Sequence, residues 1–165
     1  MAQSNQTSRY FLFEKALIIP DSTTMQLESS AVLYNLALIC HLIGLKESAS
    51  KKIVAAKRLY LLALDAATRS EESALLVSLA IANNLGEIHL QQANDLEEAR
   101  KCFSLVRNIL CNFGSFELED ADMEADYNFF YLNAMVRITG SSVATPAAWA
   151  EVSTIDGAAR PNNRL

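Results

Sequence analysis

A chain of 165 residues that is 51% hydrophobic and 20% charged has the length and composition of one folded domain, which excludes global disorder. Its formal net charge of −5 disfavours nucleic acid as a partner, because contacts to phosphate need clustered lysine and arginine. The one basic cluster, Lys51, Lys52, Lys57 and Arg58, is interpreted as a solvated helix face.

The beginning of the chain and its cysteines predict a cytoplasmic protein, with the nucleus as a second location. Residues 1–8 are polar and lack the apolar core of a secretory signal. The apolar stretch 31–45 is interrupted by Asn35 and His41, so we expect a buried core helix and no membrane span. The three cysteines are odd in number and lie in helical apolar patterns, which favours reduced thiols over disulfides.

The first predicted elements are a disordered lead over residues 1–9 and an extended segment over residues 10–20. The segment is apolar, so it would have to lie against the helices that follow and cover part of their surface. Helix one is predicted to start near residues 27–30, with Ser29 or Ser30 as its cap, and to stop at Gly44.

Four more helices are predicted from helical periodicity and from residues typical of helix ends. They span Ser48 or Ser50 to Thr68, Ser70 to Gln92, Asp95 to the residue before Gly114, and the acidic run to the residue before Gly140. A flexible tail over residues 141–165 completes the chain. Its Trp149 either packs the tail onto the helical domain, which spans residues 10–140, or anchors a partner.

Small and aromatic residues recur in a pattern that is typical of tetratricopeptide repeats, which are pairs of antiparallel helices. Leu85-Gly86 with His89 is followed by Ala99 and Phe103, so Gly86 and Ala99 would allow two helices to approach while Phe103 fills the space between them. A second copy contains Ala37, Ala56 and Tyr60, and a third, fainter copy starts near Tyr131. Asn35, Asn84 and Asn133 mark the same place in each copy, with 49 residues between neighbours.

The chain also resembles a group of short tetratricopeptide-like proteins of algae, from about Tyr10 to Ala148. The resemblance rests on these stretches: Ala16-Leu17-x-Ile19-Pro20, Tyr34-Asn35-Leu36-Ala37-Leu38, Asn83-Asn84-Leu85-Gly86, Cys102-Phe103, Phe129-Phe130-x-x-Asn133 and Pro146-Ala147-Ala148. It implies an α-helical repeat fold and no particular activity. We therefore predict an all-α domain, a short α-solenoid of two tetratricopeptide-like hairpins and a C-terminal capping helix.

In tetratricopeptide domains the first helix of each pair lines a concave groove, and this places a partner-binding groove on helices one, three and five. The predicted groove residues are Tyr34, Asn35, Leu38, His41, Asn83, Asn84, Glu87, Gln91, Phe129, Leu132 and Asn133. Their amides could pair with the backbone of an extended peptide, and Tyr34 and Phe129 offer apolar anchors. The alternative is that Asn35 and Asn133 hydrogen-bond neighbouring helices or the lead segment.

The charge of the predicted groove favours a neutral, apolar or basic partner over an acidic one. Chaperone-binding repeats hold a C-terminal carboxylate with lysine and arginine, whereas this groove carries Glu87. The acidic run consists of Glu117, Glu119, Asp120, Asp122, Glu124 and Asp126. We interpret it as a solvated loop before a helix N-terminus, because it lacks the spacing of an EF-hand.

No catalytic, metal or cofactor motif is present, so we expect neither an enzyme nor a bound cofactor. His41 and His89 are interpreted as packing residues. The predicted function is that of an adaptor which docks a peptide or a partner helix. Two alternatives stay open: a structural subunit that assembles through its helix faces, and a small-ligand or enzymatic pocket, which would need Glu87 and His41 to converge.

Overall fold

The structure is a computed structural model that describes residues 11–18, 24–70, 74–91, 95–113 and 121–139. Within these ranges it contains five helices and no strand, which confirms the all-α class. The helices are α1 (Met25–Glu47), α2 (Ser50–Thr68), α3 (Leu75–Gln91), α4 (Leu96–Phe113) and α5 (Ala121–Thr139). The predicted lead over residues 1–9, the tail with Trp149 and most of the acidic run lie outside the described residues.

The predicted end of helix one at Gly44 is wrong, because α1 continues to Glu47 and ends at Ser48, whose φ of 53° is left-handed. Gly44 instead serves the contact between α1 and α2. A Cβ on Gly44 would lie 2.5 Å from Cδ1 of Ile53, so the two helices approach more closely than a larger residue allows. Glycine is favoured at both kinds of position, and the sequence alone did not separate them.

The predicted starts of helices one and three also differ from the structure. α1 begins at Met25, and Ser30, a predicted cap, is buried and donates a hydrogen bond to the Ala63 carbonyl oxygen at 2.7 Å. α3 begins at Leu75, while the hydroxyl of Ser70 lies 3.2 Å from that of Thr24. The start of α2 and the ends of α2, α4 and α5 agree with the prediction.

Helix α3 forms the centre of the domain, since every residue from Leu79 to His89 is buried. It packs against α2 and α4 and also contacts α1 and α5. A Cβ on Gly86 would lie 2.6 Å from Cζ of Phe103. Ala99, which precedes Phe103 by one helical turn on α4, is buried as well. The close approach that the Gly86 and Phe103 pattern predicts is therefore confirmed.

By length and composition, helix α1 meets the criteria for a membrane-spanning helix, and 44% of its most apolar window is buried inside the protein. The buried face carries Leu27, Tyr34 and Leu38. A core helix of a folded domain passes the same test of length and composition, so the test does not distinguish the two cases.

Residues 11–18 lie against the helices as a segment without helical or strand structure beyond Phe11. Their alternate residues Phe11, Phe13, Lys15 and Leu17 all hydrogen-bond to α1, α3 or α5 through the backbone. This period of two is that of an extended chain. The prediction that an apolar N-terminal segment covers part of the helical surface is confirmed for these residues.

Candidate functional site

The candidate site is the groove on α1, α3 and α5, where the three asparagines spaced by 49 residues come together on one buried surface. Asn35 lies on α1, Asn84 with its neighbour Asn83 on α3, and Asn133 on α5. All but Asn35 are fully buried. A buried amide needs both donors and acceptors around it, and the backbone of residues 11–17 supplies part of them, while Oδ1 of Asn133 has no partner among the described residues.

Asn84 pairs with both backbone groups of Phe13. The Phe13 amide donates to Oδ1 of Asn84 at 2.9 Å, and Nδ2 of Asn84 donates to the Phe13 carbonyl oxygen at 3.0 Å. The primary amide thus forms the same two bonds that a neighbouring strand would form. This pair fixes the position and the direction of the segment at Phe13.

Asn35 repeats the arrangement four residues further along the segment. The Leu17 amide donates to Oδ1 of Asn35 at 2.8 Å, and Nδ2 of Asn35 donates to the Leu17 carbonyl oxygen at 2.9 Å. Between the two pairs, the Tyr34 hydroxyl donates to the carbonyl oxygens of Phe13 at 3.0 Å and Lys15 at 3.3 Å. These side chains therefore hydrogen-bond the backbone of three alternate residues, Phe13, Lys15 and Leu17, in one register.

The carbonyl oxygen of Phe11 is held from two helices. Nδ2 of Asn83 donates to it at 2.9 Å from α3, and Nδ2 of Asn133 donates to it at 3.0 Å from α5. The guanidinium carbon of Arg137 lies 4.6 Å from the centroid of the Phe11 ring, which is a cation–π contact. Asn35 and Asn133 thus hydrogen-bond the N-terminal segment, at Leu17 and Phe11, which is one of the alternatives that the sequence leaves open.

Side chains of the segment fill apolar sites along the groove. Leu12, Phe13 and Leu17 are buried, whereas Ile18 is 94% exposed. The Phe13 ring centroid lies 4.7 Å from that of Phe130 and 5.8 Å from that of Phe129. Burial of these side chains provides the larger part of the attraction, since the backbone bonds replace bonds to water.

Two tyrosines complete the surroundings of Asn84, whose Nδ2 lies 3.1 Å from the Tyr60 hydroxyl and 3.4 Å from that of Tyr34. The two tyrosine rings lie 5.7 Å apart. Burial raises the pKa of both hydroxyls far above the ordinary value near 10, so both remain neutral hydrogen-bonding groups.

Glu87 does not present a free charge to the groove, because it is 1% exposed and forms a bidentate pair with Arg137. Nε and Nη2 of Arg137 donate to its two carboxylate oxygens at 2.9 and 2.8 Å. Burial raises the pKa of Glu87, and the pairing with Arg137 opposes that rise. The acidic character that the sequence assigned to the groove is neutralised within the chain.

The remaining predicted groove residues lie outside these contacts. Leu38 and His41 are buried in the core, Leu132 is half-buried on α5, and Gln91 is exposed at the end of α3. Among the residues that the structure describes, neither ring nitrogen of His41 has a hydrogen-bond partner, and burial lowers its pKa to about 4. Among the described contacts His41 faces Tyr60 and Glu87 faces Arg137, so the two side chains form no joint site.

The sequence did not identify three of the residues that hold the segment: Arg137, Phe130 and Asp126. Arg137 follows Asn133 by four residues and Phe130 precedes it by three, which places both near the same helix face. Asp126 forms an ion pair with Nζ of Lys15 at 2.5 Å, so this member of the acidic run is not simply solvated, whereas the sequence predicts that it is. Helical spacing from Asn133 was the signal that could have found the first two.

A second polar cluster lies where α2, α3 and the start of α4 meet. Oδ2 of Asp95 accepts hydrogen bonds from Nζ of Lys57 at 3.1 Å and lies 3.0 Å from Nδ1 of the buried His89. His89 thus links α3 to the residue that precedes α4. In the part of the chain that the structure describes, no group of three or more His, Cys, Asp or Glu side chains is placed to hold a metal ion.

Comparison of the chain with protein-family models, with curated proteins and with solved structures finds no match that could assign a family or a fold.

Proposed function

We propose that this chain is a protein–protein interaction module whose groove on α1, α3 and α5 holds an extended polypeptide segment. The observation that supports the proposal best is the pair of two-point amide contacts, Asn84 to Phe13 and Asn35 to Leu17. Contacts of this kind are independent of the side chain that the bound residue carries. A groove built from them suits any extended segment whose side chains fit the adjoining apolar sites.

The same contacts explain why the groove needs an occupant. Asn84 is buried, and without the segment both ends of its side-chain amide would lose their partners at Phe13. An unpaired buried polar group costs about 1–3 kcal/mol, so an empty groove would have to admit water or another chain. The N-terminal segment fills it in the structure, and a partner segment of similar form would fill it by exchange.

The proposed architecture is a short tetratricopeptide-like solenoid. Three features support it: the 49-residue recurrence of asparagine, the tight contact of Gly86 with Phe103, and the packing of α1 on α2 and of α3 on α4. α5 packs on α4, which suits a helix that covers the last pair. A location in the cytoplasm or nucleus is part of the same proposal.

The function is tested by photo-crosslinking in native lysate with the full chain. A photoreactive phenylalanine replaces Phe129, which lies half-buried beside Phe13, and the matched control carries it at Leu105, which is exposed on α4. We expect an intermolecular cross-link at position 129 that is absent at position 105 and is lost when N84A and Y34A are added. Helical circular dichroism checks that these variants are folded. Cross-links from position 129 to residues 11–18 of the same chain alone would overturn the proposal.

Self-assembly is the second candidate function, and the outer face of α1 favours it. Val32, Leu36 and Ile39 follow one another by four and three residues, and each is about half exposed or more. Light scattering coupled to size exclusion tests this candidate. A monomer at all concentrations would dismiss it, and an oligomer that V32E dissociates would support it.

A further inference from the structure

We infer that the partner segment carries the pattern of residues 11–17, an aromatic residue followed by Leu, Phe, any residue, a basic residue, any residue and Leu. The inference rests on the proposed function and names the class of peptide that the groove takes. It further implies that the chain's own segment competes with the partner for the site.

The backbone contacts set the register in which any occupant must lie. The two amide pairs hold residues four apart, at Phe13 and Leu17, and each engages both the N–H and the carbonyl of its residue. A proline at either place would lack the N–H and break the pair. Since these contacts carry no side-chain information, selectivity must come from the side chains that the register places in the groove.

Three positions of the occupant are enclosed by the groove. Leu12, Phe13 and Leu17 are buried, and Phe13 packs on the rings of Phe129 and Phe130. A small or polar residue at these positions would leave a void or an unpaired polar group. Ile18 is open to solvent, and Glu14 and Ala16 are exposed as well, so these positions select nothing.

Charge adds a preference at two further positions. Lys15 pairs with Asp126, whose side chain is only 14% exposed, so an acidic residue at this place would meet a like charge. At the other end, the guanidinium of Arg137 lies over the ring of Phe11 and is held there by Glu87. An aromatic residue at the first place therefore meets a fixed cation, which favours it over an aliphatic one.

Competition follows from the covalent connection of the segment to α1. Only residues 19–23 separate Ile18 from Thr24, which precedes α1. A short tether gives an effective concentration on the order of millimolar, so a free peptide of equal intrinsic affinity displaces the segment only at comparable concentrations. Weakening the chain's own segment should therefore strengthen binding of a free peptide.

The test uses a fluorescently labelled peptide with the sequence of residues 11–18, Phe-Leu-Phe-Glu-Lys-Ala-Leu-Ile, and the full chain. Fluorescence anisotropy compares the wild-type chain with the variant F13A/L17A, whose own segment lacks two buried side chains. We expect the variant to bind the peptide at least about tenfold more tightly, since it removes the competitor. The matched control is the variant E14A, altered at an exposed position, which should bind as the wild type does.

Three altered peptides test the pattern itself. Alanine in place of the second Phe should weaken binding by about tenfold or more, because it empties the site between Phe129 and Phe130. Glutamate in place of Lys should weaken it by a few-fold, since the ion pair is partly exposed. A peptide of the same composition in scrambled order should not compete. Equal binding of the original and scrambled peptides, or no binding to a folded F13A/L17A chain, would overturn the inference.

A second measurement serves if F13A/L17A does not fold. Hydrogen exchange of the Phe13 and Leu17 amides in the wild-type chain should accelerate as unlabelled peptide is added, because displacement exposes both amides to water. Unchanged exchange at millimolar peptide would overturn the inference. A cross-linked partner without the pattern would overturn the inference and leave the proposed function standing, whereas the absence of any partner at position 129 would end both.

Discussion

Oδ1 of Asn84 accepts a hydrogen bond from the Phe13 amide at 2.9 Å, and Nδ2 of Asn84 donates one to the carbonyl oxygen of the same residue at 3.0 Å. A side-chain amide in the middle of α3 thereby takes the place of a strand beside a segment 71 residues away in the sequence. Since Nδ2 of Asn84 also donates a hydrogen bond to the Tyr60 hydroxyl, Asn84 connects the segment to the centre of the helical domain.

Replacing Asn84 by alanine should destabilise the protein by about 2–4 kcal/mol, because both backbone groups of Phe13 and the Tyr60 hydroxyl lose a partner in a buried site. Urea denaturation followed by circular dichroism measures the free energy of unfolding. The matched control is N128A, since Asn128 is an exposed asparagine on α5. A loss below about 0.5 kcal/mol for N84A, which is typical of surface changes, would contradict the buried network.

Replacing Gly86 by alanine should destabilise the protein by about 1–3 kcal/mol, although alanine is the better helix former. The new Cβ would meet three ring atoms of Phe103 within 3.0 Å, and Phe103 is only 1% exposed, so the ring can move away only by displacing its buried neighbours. G44A is the matched comparison, because its Cβ meets mainly the flexible side chain of the half-buried Ile53, at 2.5 and 2.9 Å, with the Ile53 backbone nitrogen at 3.1 Å. We expect G44A to cost less than G86A in thermal or urea unfolding. The opposite order would contradict the assigned packing of α3 on α4.

The face that carries the groove could be predicted from the sequence, whereas the occupant of the groove could not. Equal spacing of Asn35, Asn84 and Asn133 places each asparagine at the same point of alternate helices, α1, α3 and α5, so repetition alone identifies a shared surface. The bonding partners of those amides depend on tertiary packing. A buried asparagine satisfies its hydrogen bonds equally well with a neighbouring helix, a foreign peptide or its own chain.

Local rules failed where one residue type serves two purposes. Gly44 fits both a helix end and a close contact between helices, and the contact with Ile53 is the purpose that the structure shows. Arg137 has the charge of a surface residue, yet its guanidinium is bound by Glu87 and covers the Phe11 ring. Arg137 and Glu87 are 50 positions apart, beyond the reach of helical periodicity, and the contact of Gly44 with Ile53 joins two different helices.

Stability should fall by about 3 kcal/mol as the pH drops from 6.5 to 4 because of His41 alone. The native state buries this imidazole, which has no hydrogen-bond partner in the described part of the chain, and burial lowers its pKa to about 4, so between these pH values only the unfolded chain binds the proton. The described ring contact of His41 is with Tyr60, which stays neutral throughout this range. Below pH 4 both states are protonated and the loss from this group is complete.

The measurement for His41 is the difference in unfolding free energy between wild type and H41F from pH 7 to 4. Phenylalanine keeps an aromatic ring beside Tyr60 and does not titrate. Carboxyl groups contribute equally to both proteins, so the difference isolates the histidine. A difference that stays constant over this range would show that the native state does not exclude the proton from His41.

Replacing Arg137 by methionine should destabilise the protein by about 3 kcal/mol at neutral pH, because it leaves the carboxylate of Glu87 buried without its cation. Burial raises the pKa of Glu87, and removing Arg137 takes away the opposing attraction, so the native state of R137M should bind a proton more readily than the unfolded chain. Its stability, measured relative to wild type by urea denaturation at several pH values, should therefore recover as the pH falls toward the ordinary pKa of glutamate.

The double variant E87Q/R137M should regain part of the loss at neutral pH, while R107M, altered at an exposed arginine of α4, should match the wild type. A loss in R137M that is independent of pH and persists unchanged in the double variant would contradict an ion pair between Glu87 and Arg137 and would assign the effect to the contact of Arg137 with Phe11.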